Sequence, residues 1–425
     1  CPELTPNSRK NTGMRGIRMY DVVIIGAGPA GLSAAIACRE WNMDVLVIDE
    51  FPKPGGRLLG QLHQEPNGEW WNGIEEANTL LERTKSLNTD IRCGVSAYHI
   101  EKQDGGFAVH TSSGIFNAKT LLIATGAAEK PTPIPGWTLP GVMSIGAAQV
   151  MTNVHRVRVG QRGIVVGVNV LSAAIARELQ LAGIELLGMV LPAINPVTSR
   201  HGHPKKVMEG LVRIAHLAPS PLIRLGSKWA KATWAQNLAV TLYPKGGVKL
   251  WGMPVHIRKA ATEINGKTEV ESVTICDISP DGERVPGSEK TVDVDFVCIA
   301  GGLYPLAELA AVIGCPFQYI EELGGHVPVH NEKMETPVAG MYVAGNITGI
   351  ESAKVARAQG TVAGLSIVRR LLGNVADLGS KLDEAVQNVK DIRGQATIQF
   401  HPGIDEGRAK MNKAFLHYAN RNADV

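Results

Sequence analysis

The sequence lacks any pair of cysteines spaced to work together. Its six cysteines are scattered, and none forms a Cys-x-x-Cys motif. Zinc sites, iron–sulfur clusters and redox disulfides commonly use such spacings, so we expect none of them in this chain. Cys38 and Cys298 lie in apolar runs ("AIACRE" and "DFVCIAGG"), where we expect buried free thiols. Reducing conditions in the cytoplasm are the simplest setting for these thiols.

The sequence also has no strong charge of one sign and no long apolar run. Its formal net charge of +3 is too small to favour nucleic acid or an anionic membrane as a partner. No apolar run reaches the roughly 18 residues that a transmembrane helix needs. The basic stretch "PSPLIRLGSKWAKATW" (219–234) is expected to be an ordinary amphipathic helix, with peripheral association at the inner membrane face as the alternative.

Glycine is what the sequence has in abundance, with 47 residues. The stretch "YDVVIIGAGPAGLSAAIACREWNMDVLVIDE" places three of them between a predicted strand and a predicted helix. Gly26 can make the turn, Gly28 can let a pyrophosphate approach the backbone, and Gly31 can let the helix pack on the strand. The amino terminus of the helix would then face the phosphates. Asp49, or its neighbour Glu50, follows at the roughly 20-residue distance expected of a ribose-binding carboxylate. This stretch therefore predicts a dinucleotide site.

The whole pattern predicts an α/β protein with two Rossmann-like dinucleotide-binding units. A second strand, turn and helix, "GIVVGVNVLSAAIARELQLAG", looks like a distant copy of the first. We predict a flexible leader, a first unit in two pieces, a second unit inserted between them, and a C-terminal extension with a helix around Lys381–Ile392. Their predicted ranges are 1–19 for the leader, 20–155 and 293–375 for the first unit, 156–292 for the second unit and 376–425 for the extension.

The layout over about residues 20–373 resembles the two-dinucleotide-domain flavoproteins of the pyridine nucleotide–disulfide oxidoreductase superfamily. The motifs "GAGPAG…VLVIDE", "LLIATGA" and "GMYVAGN" carry the resemblance. In that family the first motif binds the pyrophosphate and adenosine ribose of FAD, the second closes the FAD domain, and the third reaches the ribityl chain. Asn346 stands where the family has a ribityl carboxylate, and its amide can still accept a hydrogen bond. The resemblance implies FAD as the cofactor, held by Gly26, Gly28, Pro29, Ala30, Gly31, Asp49, Glu50, Gly56, Arg57, Gln61, Ala97, Ala124, Thr125, Gly126, Gly345, Asn346, Ser352 and Ala353.

A narrower resemblance points to the FAD-containing subunits of multi-subunit amino-acid and amine dehydrogenases. It rests on "PGWTLPGVMSIGAAQ", "GGLYPLAELA" and "GGHVPVHNEKMETPVAGMYVAGN". That group includes hydrogen cyanide synthase, opine oxidases, dye-linked proline dehydrogenases and the large subunit of heterotetrameric sarcosine oxidase. The resemblance implies a small amine or amino-acid substrate, and a partner flavoprotein, an iron–sulfur subunit, or both. Many such subunits carry a Cys-rich segment near the C-terminus; this sequence has none, so we expect any cluster to come from a partner.

The glycine fingerprint of the second unit is broken. Asn169 stands at the second glycine position and Ser172 at the third. A side chain at position 169 crowds the place where a pyrophosphate would meet the backbone. At the end of the next strand Val190 stands where a ribose-binding acid is expected, followed by "LP". We therefore predict a degenerate unit that binds no nicotinamide and persists as a scaffold. A smaller nucleotide such as ATP or AMP is the weaker alternative.

Two stretches contain candidate catalytic residues. Gln61 and His63 lie in "RLLGQLHQ", which should pass near the flavin ring; this stretch has no cysteine, so disulfide reduction is excluded. His63 can serve as an acid or base near neutral pH or can simply cap its loop. Glu351 precedes a predicted helix whose first N–H groups would stabilise negative charge on a reduced flavin. The histidines of "RHGH" at 201 and 203 are interpreted as a loop, so no metal site is predicted.

These observations favour an FAD-dependent oxidoreductase subunit that oxidises a C–N bond and passes electrons to a partner. The first alternative is an NAD(P)H-dependent flavin reductase, and the second is a non-catalytic nucleotide-binding scaffold. The sequence leaves open the substrate, the electron acceptor, and whether the oxidation takes place at this chain's flavin or at a second flavoprotein subunit.

Overall fold

The computed structural model describes residues 18–64, 68–198, 201–214, 233–396 and 400–423. The predicted leader, apart from its last two residues, lies outside this part of the chain. So does the basic stretch at 219–234, apart from the two residues that begin a helix at Thr233.

Strand–helix–strand runs typical of an α/β protein occur at Met19–Asp49 and at Arg162–Pro192. The strands are β1 Met19–Ile25, β2 Val45–Asp49, β3 Leu62–Gln64, β4 Trp70–Asn72, β5 Asp90–Cys93, β6 Ala97–Gln103, β7 Gly106–Thr111, β8 Gly114–Ile123, β9 Ala127–Glu129, β10 Val142–Ser144, β11 Arg162–Val166, β12 Glu185–Pro192, β13 Val248–Leu250, β14 Met253–Asn265, β15 Ser272–Asp277, β16 Lys290–Asp293, β17 Phe296–Ile299, β18 Leu303–Pro305, β19 Phe317–Ile320, β20 Gly325–Pro328 and β21 Met341–Val343. The helices are α1 Pro29–Arg39, α2 Gly73–Ser86, α3 Ile145–Asn153, α4 Val170–Leu181, α5 Pro204–Ile214, α6 Thr233–Thr241, α7 Glu308–Val312, α8 Ala353–Leu372, α9 Leu378–Gly394 and α10 Ile404–Ala423.

The first sheet has the strand order β5-β2-β1-β8-β7-β6, with β21 paired to β8. Its centre is parallel, because β1 lies between β2 and β8 and all three run the same way. The central strands are almost entirely buried, as continuous apolar runs predict for a parallel sheet covered on both faces. Helices α1 and α8 cross closely on one face: a Cβ at Gly360 would lie 2.1 Å from the carbonyl oxygen of Ala30.

The second sheet has the order β10-β17-β11-β12-β14-β15-β16, with β13 paired to β14. The predicted fold class, with two Rossmann-like units, is confirmed. The strand pairing differs from the predicted boundary of 156–292, because β10 and β17 belong to this sheet and lie outside that range. Strand β17 pairs in parallel with both β10 and β11. Its apolar run looked like a returning strand of the first unit because both sheets bury such strands equally well.

The C-terminal extension is built into the first unit. The helix predicted around Lys381–Ile392 is confirmed as α9, whereas α10 was not predicted. Three apolar residues of α9 join the core around α1 and α8, namely Leu378, Leu382 and Val389. Helix α10 contributes Ile404 and Met411 to a separate small core formed with the β19–β20 hairpin.

Candidate functional site

The glycine loop after β1 has the geometry that a phosphate-binding turn requires. Gly26 has a φ of 111°, and a Cβ there would lie 2.4 Å from the carbonyl oxygen of Ala124. A Cβ at Gly31 would lie 1.8 Å from the carbonyl oxygen of Gly26, so only glycine lets α1 approach the turn. A Cβ at Gly28 would meet nothing within 4 Å, which leaves open space in front of its backbone. Pro29 is the first residue of α1, where its missing N–H is harmless.

The carboxylate of Asp49 fastens this loop to the end of β2. Its Oδ2 accepts from the N–H of Ala27 at 2.5 Å, and its Oδ1 accepts from the N–H of Phe51 at 2.7 Å. Burial raises the pKa of Asp49 against the opposing effect of these two hydrogen bonds. Glu50 beside it is exposed. Asp49 therefore holds the loop in place, and each carboxylate oxygen has a further lone pair that could accept from a ribose hydroxyl.

Ala97 lies on the other side of the first sheet from α1. It begins β6 and packs with the hydrophobic cluster that includes Val23 and Ile25. Val95, two residues earlier, donates its N–H to the carbonyl oxygen of Asp49 at 3.0 Å. The chain before Ala97 thus reaches the ribose end of the predicted site.

The Gly55–Gly56 turn lies directly against the glycine loop. Both glycines have positive φ, 125° and 55°. The N–H of Gly55 donates to the carbonyl oxygen of Ala27 at 2.8 Å, and a Cβ at Gly56 would lie 2.9 Å from Cα of Gly28. Arg57 follows on the exposed side of a short 3-10 helix, Gly56–Gly60. We call residues 56–64, from this helix through β3, the 56–64 segment.

The second motif ends β8 beside the same loop. Ile123 pairs in register with Ile25, and the N–H of Ala124 donates to the carbonyl oxygen of Ile25 at 2.8 Å. The Thr125 hydroxyl donates to the carbonyl oxygen of Leu306 at 2.5 Å. Gly126 follows with a φ of 78°, and a Cβ there would meet nothing within 4 Å.

The third motif reaches this place from the neighbouring strand, β21. A Cβ at Gly345 would lie 2.9 Å from the Cβ of Ala30 on α1. Asn346 accepts a hydrogen bond through Oδ1 from the N–H of Glu351 at 3.2 Å. Ser352 caps α8 by accepting from the N–H of Val355, and Ala353 is the first helical residue. The three motifs therefore meet at the carboxyl ends of parallel strands, the usual ligand crevice of such sheets.

The 56–64 segment carries its two candidate residues to the first turn of α8. Gln61 accepts through Oε1 from the indole N–H of Trp71 at 3.3 Å. The rings of His63 and Trp71 are stacked with centroids 6.1 Å apart, and the ammonium of Lys354 lies 4.9 Å from the Trp71 ring centre. The structure thus brings Gln61 and His63 together with an aromatic and a cationic side chain that the sequence could not place.

Glu351 is engaged by two arginines of the C-terminal extension. Arg393 donates through Nε to Oε1 at 2.5 Å and through Nη2 to Oε2 at 3.1 Å. Arg408 donates to Oε2 and also to the carbonyl oxygen of Thr348, the latter at 2.7 Å. Burial alone raises the pKa of Glu351, but the two guanidinium groups outweigh it and hold the pKa below its ordinary value. These contacts support a tethering role for Glu351 more than the predicted catalytic one.

The broken fingerprint of the second unit is a complete helix cap. Asn169 accepts through Oδ1 from the N–H of Ser172 at 2.9 Å, and Ser172 accepts through Oγ from the N–H of Asn169 at 2.9 Å. The Asn169 amide also donates to the carbonyl oxygen of Ala300 at 3.2 Å. Two of the backbone N–H groups that could face a phosphate, those of Asn169 and Ser172, are therefore bonded within the chain. The end of β12, where an acid is expected, is buried and apolar at Val190 and Leu191.

Other predictions concern thiols, metals and membranes. Cys38 and Cys298 are buried free thiols, as predicted. Among the described residues no group of three or more metal-ligating side chains is found. Across the same part of the chain, no helix combines the length and the apolar character needed to cross a membrane.

The fold and the site define an FAD-dependent oxidoreductase with two dinucleotide-binding units. The open backbone at Gly28 and Gly126, with the Asp49 carboxylate beside it, suits the pyrophosphate and ribose of FAD. The family model described as pyridine nucleotide-disulphide oxidoreductase matches residues 20–360, and the chain belongs to this family. FAD is therefore its cofactor.

The relatives by sequence include subunits of several oxidases. The chain is 26% identical over 364 residues to an opine oxidase subunit of Agrobacterium tumefaciens (strain Ach5), covering 83% of this chain and 66% of the relative. It is 23% identical over 365 residues to hydrogen cyanide synthase subunit HcnB of Pseudomonas aeruginosa, covering 81% and 70%. The match to the alpha subunit of sarcosine oxidase from Corynebacterium sp. (strain P-1) has 24% identity and covers 81% and 32%. The chain thus spans about two thirds of the opine oxidase relative.

Solved structures share the fold. L-proline dehydrogenase from P. horikoshii superposes with a TM-score of 0.61 at 18% identity, covering 87% of this chain and 59% of that one. Thioredoxin reductase of T. acidophilum gives a TM-score of 0.59 at 22% identity, covering 84% and 100%.

Proposed function

We propose that this chain is the FAD-carrying subunit of a multi-subunit dehydrogenase that oxidises a C–N bond of an amino acid or amine. The observation that carries the proposal is the self-capped amino terminus of α4, where Asn169 and Ser172 satisfy each other. A chain that cannot take electrons from a nicotinamide at its second unit needs another electron source. Bound FAD supplies the ability to accept a hydride from an organic substrate.

The chain's own residues would hold the cofactor and shape its surroundings. The loop from Gly26 to Gly31 presents open backbone to the pyrophosphate. Helix α8 begins at Ala353, and the amino terminus of a helix favours negative charge in front of it. Gln61 and His63 add hydrogen-bonding groups at the edge of this crevice, and the imidazole can carry a proton near neutral pH.

A partner is part of the proposal. The opine oxidase, hydrogen cyanide synthase and sarcosine oxidase relatives are each named as one subunit of an enzyme. We infer that this chain likewise works with a partner flavoprotein, an iron–sulfur subunit, or both. The cytoplasmic location stays a prediction from composition.

Anaerobic reduction of the purified protein tests the proposal against its alternatives. The complex that co-purifies with the tagged chain is mixed with a panel of amino acids and amines, and separately with NADH and NADPH, while flavin absorbance is followed. We expect bleaching by at least one amine and none by either coenzyme at micromolar concentration. Rapid bleaching by a coenzyme would establish a flavin reductase instead. A bound flavin that no amine reduces would favour the scaffold.

A matched variant locates the chemistry. Gly31→Ala places a Cβ 1.8 Å from the carbonyl oxygen of Gly26 and should empty this chain of FAD. If the complex with this variant still reduces an artificial dye with the amine, the oxidation takes place on the partner and electrons reach the dye without this chain's flavin. If dye reduction stops while amine bleaching of a partner flavin persists, the oxidation takes place on the partner and this chain's flavin relays the electrons. Loss of both places the oxidation on this chain.

A further inference from the structure

The opposite end of α4 carries a buried carboxylate that the proposed function does not use. Glu178 is 5% exposed and lies where the second unit meets the first. Its Oε2 accepts from the Gln149 amide at 2.8 Å and from the Asn153 amide at 2.7 Å, both on α3. Its Oε1 accepts from the backbone N–H of Leu62 at 3.2 Å. Leu62 lies between the two candidate residues Gln61 and His63.

These bonds connect three elements at one point. The Asn153 amide, besides bonding Glu178, donates to the carbonyl oxygen of Gly60 at 2.7 Å. A Cβ at Gly60 would lie 3.3 Å from the Gln149 side chain, so α3 and the 56–64 segment are in close contact. Helix α4 of the second unit therefore fixes the backbone of the 56–64 segment through a single carboxylate.

The carboxylate has no cation to balance it among the described residues. Its three hydrogen-bond donors are all neutral, and the titratable side chains on the elements packed around it are Arg57, His63 and Arg177. The pKa of Glu178 is raised to about 7 by burial, opposed only by the three hydrogen bonds. Burying a carboxylate without a cation is costly, and a leucine would fill the same space without that cost. A role for the ionisable group itself explains its presence better than packing does.

We propose that Glu178 is a positioning residue whose ionised carboxylate holds the 56–64 segment, and that proton uptake by this carboxylate releases the Leu62 backbone. A protonated Oε1 becomes a donor and no longer accepts well from an N–H. The Leu62 bond, at 3.2 Å, is the longest of the three. The degenerate second unit thus acts on the flavin crevice as a proton-sensitive support. This inference rests on the proposed function only in that the segment lines the crevice.

Hydrogen exchange of the segment tests the inference without any substrate or partner. The protection factor of the Leu62 amide, corrected for the intrinsic pH dependence of exchange, is followed from about pH 5.5 to about pH 8.5 in the FAD-bound protein. We expect protection to rise at least about tenfold with pH, with a midpoint near 7, and the visible flavin spectrum to shift with the same midpoint. If protection of the Leu62 amide in the wild type is independent of pH, the proposal is overturned. This outcome can be measured on the wild type alone, so it does not depend on whether any variant folds.

Two variants assign the effect. Glu178→Gln keeps the shape of the side chain but cannot titrate. It should therefore abolish the pH midpoint both in the Leu62 protection factor and in the flavin spectrum. Glu185→Gln removes an exposed carboxylate from the same unit and should keep it. A midpoint that persists in Glu178→Gln, or disappears in Glu185→Gln, overturns the assignment. If the segment responds but no amine reduces the flavin, the proposed function fails while this inference stands. If an amine reduces the flavin but the protection of the segment does not change with pH, this inference fails while the proposed function stands.

Discussion

Removing the charge of Glu351 should detach the C-terminal extension from the first unit. Glu351→Gln keeps the side-chain shape but leaves Arg393 and Arg408 buried without their counter-ion; their side chains are only 13% and 14% exposed. Because both oxygens of Glu351 accept from these guanidinium groups, one substitution breaks the ionic link between the turn before α8 and both α9 and α10. The substitution should therefore loosen the C-terminal extension more than it loosens the rest of the first unit.

The expected size follows from burial. Removing one member of a buried ion pair typically costs about 3–5 kcal/mol, because the remaining charge is left uncompensated. Lys410 gives a matched control on the same helix: its pairs with Glu322 and Glu406 are partly exposed, and Lys410 itself is 46% exposed. Lys410→Ala should cost less than about 1 kcal/mol.

Denaturant unfolding and hydrogen exchange measure the two parts of this prediction. In Glu351→Gln, α9 and α10 should exchange much faster than β1, and the free energy of unfolding should drop by about 3 kcal/mol or more. The pKa of Glu351 is held below its ordinary value, so its contribution is present above the ordinary carboxyl pKa and is lost as pH falls through the lower folded value. The variant should therefore lack this acid-dependent loss. Wild-type protection of both helices in the variant, with an unfolding free energy within about 1 kcal/mol of wild type, would refute the reasoning.

Three further predictions follow from single contacts. Asn169→Ala removes the cap of α4 and should lower the free energy of unfolding by about 1 kcal/mol without changing FAD content, as judged by denaturation and by flavin absorbance. In the wild type, the raised folded pKa of Glu178 makes its contribution to the free energy of unfolding largest below the ordinary carboxyl pKa, and up to about 3 kcal/mol of this contribution is lost by the time the pH has risen through about 7. Glu178→Gln should not show this pH-dependent loss of stability, as denaturation at several pH values would measure. Cys298, with its pKa raised by burial, should resist alkylation in the folded protein and react only after denaturation, as mass spectrometry would show.

The features that the sequence predicted correctly depend on neighbours in the chain. The turn at Gly26 and the helix that follows it are each set within a few residues, so motif spacing is enough to find them. The helix cap at Asn169 is also local: an Asn followed three residues later by Ser has the spacing of a capping box. Its presence could have been inferred from the same letters that marked the broken fingerprint.

The features that the sequence did not predict join distant parts of the chain. Glu351 is 57 residues from Arg408, and Leu62 is 116 residues from Glu178. No periodicity or spacing relates such residues, because their meeting depends on how whole helices pack. For the same reason strand β17 was assigned to the first unit: its buried apolar run fits either sheet, and only strand pairing decides between them.

The contacts at the two ends of α4 together suggest how a nucleotide-binding fold can be kept when the site no longer binds a nucleotide. In a working site the amino terminus of such a helix is left open so that a phosphate can complete it. Here Asn169 and Ser172 form a capping box instead, which stabilises the start of the helix without a ligand. A helix that no longer depends on a coenzyme can serve as a fixed support, and Glu178 is the contact through which this one reaches the 56–64 segment. If the proposed function and the proposed role of Glu178 hold, losing the glycines and keeping the helix are two parts of one change, from a unit that delivers electrons to a unit that holds the flavin's surroundings in place.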